Sequence, residues 1–178
     1  MSGARVDHYE RPFRPATDTA TVERAFSAFP SGVVAVCRRT EASDGPIGMS
    51  ASAFTTVSLD PPLVSVCVRK GSTTWPALRS GTLGVSVFAA HQGDICRQLA
   101  GPPAQRFDSV RPTTDDSGAV FIPGATAQLA CTVFNEIDAG DHLLILLRIQ
   151  SLRSDPDLEP LVFHASSFRA LESRRAQA

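Results

Sequence analysis

The stretch GPIGMSASAFTTVSLDPPLVSVCV, residues 45–68, decides how this chain folds. From Met49 to Leu59 it reads as one strand: Ser50, Ser52, Phe54, Thr56 and Ser58 share one face, and Ala51, Ala53, Thr55, Val57 and Leu59 the other. Asp60, Pro61 and Pro62 interrupt it, because consecutive prolines donate nothing to a strand ladder. LVSVCVR (63–69) then resumes as a strand. Backwards along the chain, GVVAVCRR (32–39) is a strand that turns through SDGPIG (43–48). Forwards, TLGVSVFAA, AVFIPGA, TAQLACTVFNEID, HLLILLRIQSLR and LVFHASSF continue the pattern. Most of these runs are joined by short turns, so the sequence predicts a mainly β protein, an antiparallel barrel or sandwich with flanking helices, rather than alternating βαβ units.

Three short helices are expected. Val22, Ala25, Phe26 and Phe29 form one apolar stripe before Pro30 and Gly32. A second helix is predicted over Thr74–Arg79, with Ser72, Thr73 or Thr74 as its cap, Pro76 in its first turn and Gly81 beyond its end. A third lies in HQGDICRQLAG, where Ile95 and Leu99 stand four apart. Residues 1–16 read as a flexible arm and 172–178 as a frayed tail, leaving 17–171 as one domain.

Composition bounds the function. The chain has 178 residues, 43% hydrophobic and 20% charged, with a net charge of -1, so no global field holds nucleic acid or an anionic membrane. Cys37, Cys67, Cys96 and Cys131 show no CxxC pair and no zinc spacing, and Cys37, Cys67 and Cys131 sit in apolar runs where a thiol behaves as a small hydrophobe. The charged N-terminal residues lack the apolar core of a secretory signal and the apolar run Leu143–Leu147 is short, so a cytoplasmic location is expected.

Four features carry chemistry. The hydroxyl-rich strand Met49–Leu59 suits a flat, polar, phosphate-bearing ligand, although a solvated strand face reads the same way. Arg69 and Lys70, the chain's only lysine, precede Gly71, Ser72, Thr73 and Thr74 at a helix start, which suits either an anion or an ordinary capped helix. Arg106 and Phe107 place a cation beside a ring in the long loop PPAQRFDSVRPTTDDSG. Asp141 and His142 follow Gly140 at a hairpin tip, as turn residues or as a pair that orients a ligand. P-loop, GxGxxG, HExxH and nucleophile-elbow motifs are absent from the sequence.

Taken in order, FPSGVVAV, GPIGMSASAFTTVSLDPPLVSVCV, RKGSTTWPALRSG, the LAG and QRF segments and AGDHLLIL resemble the flavin reductase family of two-component monooxygenase systems, over about residues 20–171. The resemblance implies an antiparallel Greek-key split barrel of the FMN-binding type. It also implies a homodimer, FMN or FAD as the flavin, and NADH or NADPH as hydride donor. It places flavin along Met49, Ser50, Ala51, Ser52, Ala53 and Phe54, and phosphate near Lys70, Ser72, Thr73 and Thr74. Arg106 and Phe107 then approach the flavin, and Asp141, His142 and Phe168 lie on the nicotinamide side, with His142 as the catalytic candidate. Phe168 stands where many relatives carry a tyrosine, keeping the ring without the hydroxyl.

The activity implied is hydride transfer from NAD(P)H to flavin, with reduced flavin passing to a separate monooxygenase. Two alternatives are an enzyme on the same fold that retains its flavin and acts on a metabolite, and a non-catalytic flavin-binding module.

Overall fold

The computed structural model describes Phe13, residues 15–41 and residues 45–171. Its elements run α1 (Thr19–Phe26), β1 (Ser31–Gly32), β2 (Val34–Arg39), β3 (Pro46–Ala51), β4 (Phe54–Leu59), β5 (Pro62–Arg69), α2 (Trp75–Leu78), β6 (Leu83–Val87), α3 (Gly93–Ala100), β7 (Thr113–Thr114), β8 (Val120–Phe121), β9 (Ala127–Ala139), β10 (His142–Ser154), β11 (Val162–His164) and β12 (Ser167–Arg169). The expected arm lies mostly, and the tail wholly, outside the described residues, as does part of the turn at 43–48.

Seven strands form one antiparallel sheet in the order β3-β2-β6-β9-β10-β5-β4. Its two edge strands, β3 and β4, are consecutive in sequence and joined only through Ser52 and Ala53. A flat sheet of this width would separate its edges by about 29 Å at ~4.8 Å per strand. The link from Ala51 to Phe54 spans at most about 11 Å. The sheet must therefore curl until its edges approach; the bond from Cys67 N–H to the Ala53 carbonyl (3.1 Å) carries the β4–β5 ladder up to the Ser52–Ala53 link. This is the split barrel. The single strand expected over Met49–Leu59 is thus two strands, broken at Ser52–Ala53, and the period-two face expected across it ends at the break. A further irregularity between Thr56 and Ser58 disturbs the period in β4.

Val34, Val36, Val66, Leu83, Ile145 and Leu147 fill the barrel interior. Ala35 and Cys37, pointing the other way from β2, pack with Phe88, Cys96, Leu99 and Ile122 in a second core. Burial on both faces explains why β2 reads as a continuous apolar run. Helix α3 closes that second core through Cys96 and Leu99, while Asp94 and Arg97 form an exposed ion pair at 2.8 Å.

Three further expectations change. The second helix is a single turn, Trp75–Leu78, shorter than Thr74–Arg79. The apolar stripe near the start is only partly on α1 and buries no residue: Phe26 is 73% exposed and Phe29, beyond the helix, 77%. LVFHASSF is a hairpin, β11 to β12, turning at Ala165 (φ 49°) and Ser166 (φ 59°) without a glycine to announce it.

Candidate functional site

Where the barrel edges meet, a cleft of about 800 Å³ opens, within the range of small-molecule sites. One wall is Met49, Ser50, Ala51, Ser52 and Ala53, the end of β3 and the break after it. Because β3 pairs only with β2, its other edge keeps backbone N–H and C=O groups available. Cys67, Val68 and Arg69 at the end of β5 form a second wall, and Leu99 and Ala100 at the end of α3 a third. Asp141 and His142 stand on the fourth side.

The long ribbon β9–β10 brings the hairpin tip here. His142 is in register with Arg69 on β5, and Lys70 N–H donates to the Asp141 carbonyl at 3.0 Å, pinning the tip to the strand. Gly140 takes φ 67°, which the tight turn requires. The Nδ1 of His142 lies 2.8 Å from Asp141 Oδ1. That hydrogen bond first, and the charge of His142 second, hold the Asp141 carboxyl below its ordinary value.

Residues 71–74 are held by Trp75. Its indole is buried in the barrel and donates to Glu136 Oε1 at 3.1 Å, while its backbone N–H donates to Ser72 Oγ at 3.2 Å. Ser72, not Thr74, therefore receives the cap bond. Arg106 cinches the same region from the long loop. Its Nε donates to the Gly101 carbonyl (2.8 Å), and its Nη1 to the Gly48 carbonyl (2.7 Å) and Thr74 Oγ1 (2.9 Å). Burial pushes the Arg106 guanidinium below its ordinary pKa. Gly48 is required here: a Cβ on it would lie 2.3 Å from Cys37 Sγ and 3.1 Å from Phe107 Cζ.

The structure thus brings Met49 to Ala53, Ser72, Arg106, Asp141 and His142 to one cleft. Thr73, Thr74 and Phe107 line a smaller adjoining hollow of about 170 Å³ that shares Arg106. Phe54 lines a neighbouring apolar cavity of about 620 Å³, which meets the cleft at Ser52, Ala53 and Cys67. Two candidates stand apart. Lys70 pairs with Asp138 at 2.9 Å and does not line the cleft. Phe168 packs edge-on against Phe163 at 5.7 Å, with the Arg97 guanidinium 4.7 Å above its ring, in the second core.

Sequence reasoning missed Cys67, Val68, Leu99 and Ala100 as cleft residues, and of the candidate pair Arg69 and Lys70 it is Arg69 that lines the cleft. Cys67 was findable, since period two along β5 puts it on the same face as Arg69. Leu99 and Ala100 were not, because their position depends on how α3 docks. Among the described residues no group of three or more His, Cys, Asp or Glu could hold a metal ion, and no helix is long and apolar enough to cross a membrane.

Residues 26–172 match the family model described as "Flavin reductase like domain". The chain is 39% identical over 160 residues, 89% of each chain, to an NADH-dependent flavin reductase of Rhodococcus. Its fold is similar to that of the NADH:FAD oxidoreductase SgcE6 of Streptomyces globisporus, solved in complex with NAD and FAD fragments, at TM-score 0.84 and 32% identity, covering 92% of this chain and 99% of that one. It is 28% identical, over 89% of its length and 85% of the relative's, to the flavin-dependent monooxygenase reductase subunit HsaB of Mycobacterium tuberculosis.

Proposed function

The chain belongs to the flavin reductase like domain family, and from that premise we propose that it is an NADH-dependent flavin reductase supplying reduced flavin to a separate monooxygenase. The observation that carries this reading is the meeting of Met49–Ala53 and Asp141–His142 across one 800 Å³ cleft. Flavin, as substrate, accepts a hydride from the nicotinamide, so the protein must align two flat rings and need not supply a general base.

The residues present fit that task. The free edge of β3 and the hydroxyls of Ser50 and Ser52 offer donors and acceptors to the polar rim of a flavin ring, and Met49, Ala51 and Ala53 offer apolar surface. Ser72, Thr73 and Thr74, held by Trp75 and Arg106, line the phosphate end. Phe107 supports that end by packing on Gly48. His142, oriented through Nδ1 by Asp141, presents its remaining ring edge to the nicotinamide. Lys70, bound to Asp138, and Phe168, in the second core, act from outside the cleft.

Residues 17–171 constitute the reductase domain. A second copy of the chain covers the apolar cavity lined by Phe26, Phe29, Phe54 and Phe163, giving a homodimer. Phe26→Glu combined with Phe29→Glu should halve the mass in sedimentation equilibrium, and an unchanged mass refutes this interface. All four cysteines are free thiols, in keeping with the reducing cytoplasm.

A steady-state assay crossing NADH and NADPH with FMN and FAD tests the activity. NADH oxidation stimulated by added flavin is expected, with NADH preferred. Failure of both flavins to stimulate either nicotinamide refutes it.

A further inference from the structure

Three cationic side chains bear on the cleft or its rim, and two of them are already engaged. Arg106 spends Nε and Nη1 on the Gly101 and Gly48 carbonyls and on Thr74 Oγ1. Lys70 is paired with Asp138 outside the cleft. Arg69 lines the cleft, is exposed, and its guanidinium makes no hydrogen bond or ion pair among the described residues. It feels the Asp141 carboxylate only at a distance, and that carboxylate is occupied by His142.

A guanidinium is a rigid fork matched to phosphate oxygens, and one facing a ligand cleft with its donors free is built to receive an anion. We propose that Arg69 takes the diphosphate of the nicotinamide dinucleotide and so sets the affinity for the hydride donor; this rests on the reductase reading. Two anionic ligands need two anion-binding ends. Thr73, Thr74 and Arg106 provide one, in the adjoining hollow on the far side of Ser72. Arg69 provides the other, directly across the strand pair from His142. An exposed cation suits the ligand that must arrive and leave at every turnover. Asp141 keeps the local charge balanced, so release remains fast.

The test uses the protein saturated with FMN, which fills the flavin end, and titrates ADP-ribose, which carries the diphosphate without the nicotinamide, by calorimetry. Arg69→Gln should weaken ADP-ribose about tenfold, as expected for losing one charge-assisted bond. The Kd for FMN should stay within about twofold, and Arg169→Gln, an exposed cation on β12, serves as the charge control. In steady state the same variant should raise KM for NADH about tenfold with little change in kcat. A weakened FMN with unchanged ADP-ribose assigns Arg69 to flavin and overturns the proposal. So does equal binding by wild type and Arg69→Gln, or no ADP-ribose binding to the wild type. A wild type that oxidises no NADH with flavin refutes the reductase reading instead, whatever the calorimetry gives.

Discussion

Gly48→Ala inserts one methyl at the point where barrel, long loop and cleft meet. Its Cβ would stand 2.3 Å from Cys37 Sγ, 3.0 Å from Cys37 Cβ and 3.1 Å from Phe107 Cζ. Cys37 is fully buried on a central strand and cannot retreat, so the clash must push β3 outward or displace Phe107. Overpacking of this kind costs about 1–3 kcal/mol. At ~2 kcal/mol the midpoint of thermal unfolding should fall by about 4–8 °C for a domain of this size. Because the Gly48 carbonyl accepts from Arg106, the same shift should loosen the Arg106 tie and raise KM for flavin more than for NADH. Differential scanning fluorimetry and steady-state kinetics read the two effects. Cys37→Ala in the same chain removes the nearest obstructing atom and should restore at least half of the lost stability. A Gly48→Ala protein with unchanged melting, or a double variant no better than the single, refutes the packing reasoning.

Other outcomes follow from the same geometry. Arg106→Lys keeps the charge but cannot reach Gly101, Gly48 and Thr74 together, so KM for flavin should rise about tenfold while KM for NADH changes less, as loss of roughly 1–2 kcal/mol of preorganisation implies. Cys37, Cys131 and Cys96 are buried, which pushes the first two thiols up to about 12 and the third up to about 11, so all three should react slowly at pH 8, whereas Cys67, half-buried and lining the cleft, lies within reach of an aromatic disulfide reagent. One fast thiol per chain, slowed by bound flavin and lost in Cys67→Ser, is the expected count. Trp75 is the only tryptophan, so Glu136→Leu, which removes the acceptor of its indole N–H, should shift the protein's fluorescence maximum and lower the melting midpoint; an unchanged spectrum contradicts the assigned bond. The Asp141 carboxyl is depressed in the fold, so the His142 contact it makes holds above its ordinary value near 3.8 and is lost as pH falls through the lower folded value. Orientation of His142 should thus survive down to about pH 4, visible as an unchanged imidazole Nδ1 hydrogen bond by NMR.

Much of this was legible in the sequence because apolar alternation and turn chemistry act locally. The β5, β9 and β10 runs are read directly from period two, and the GDH turn from its glycine. The break at Ser52–Ala53 was invisible, since alternation continues through it unchanged; only the closure of a seven-stranded sheet forces the chain to leave one edge and join the other. Arg69 and Lys70 part for a related reason. Arg69 is the last residue of β5 and lines the cleft, whereas Lys70 begins the turn beyond it and pairs with Asp138, and where β5 ends relative to the cleft depends on the barrel. The exposed stripe of Phe26 and Phe29 follows the helical period as a core stripe does, and sequence cannot distinguish burial within the chain from burial against a second copy.

Flavin passes through the cleft as a substrate, bound and released at each turnover. The most direct measurement is the number of NADH molecules oxidised per chain when flavin-free protein is mixed with excess NADH and excess FAD or FMN in air. Many turnovers per chain are expected, at a rate that saturates with added flavin. Oxidation that stops at one NADH per chain, or that is indifferent to added flavin, contradicts it.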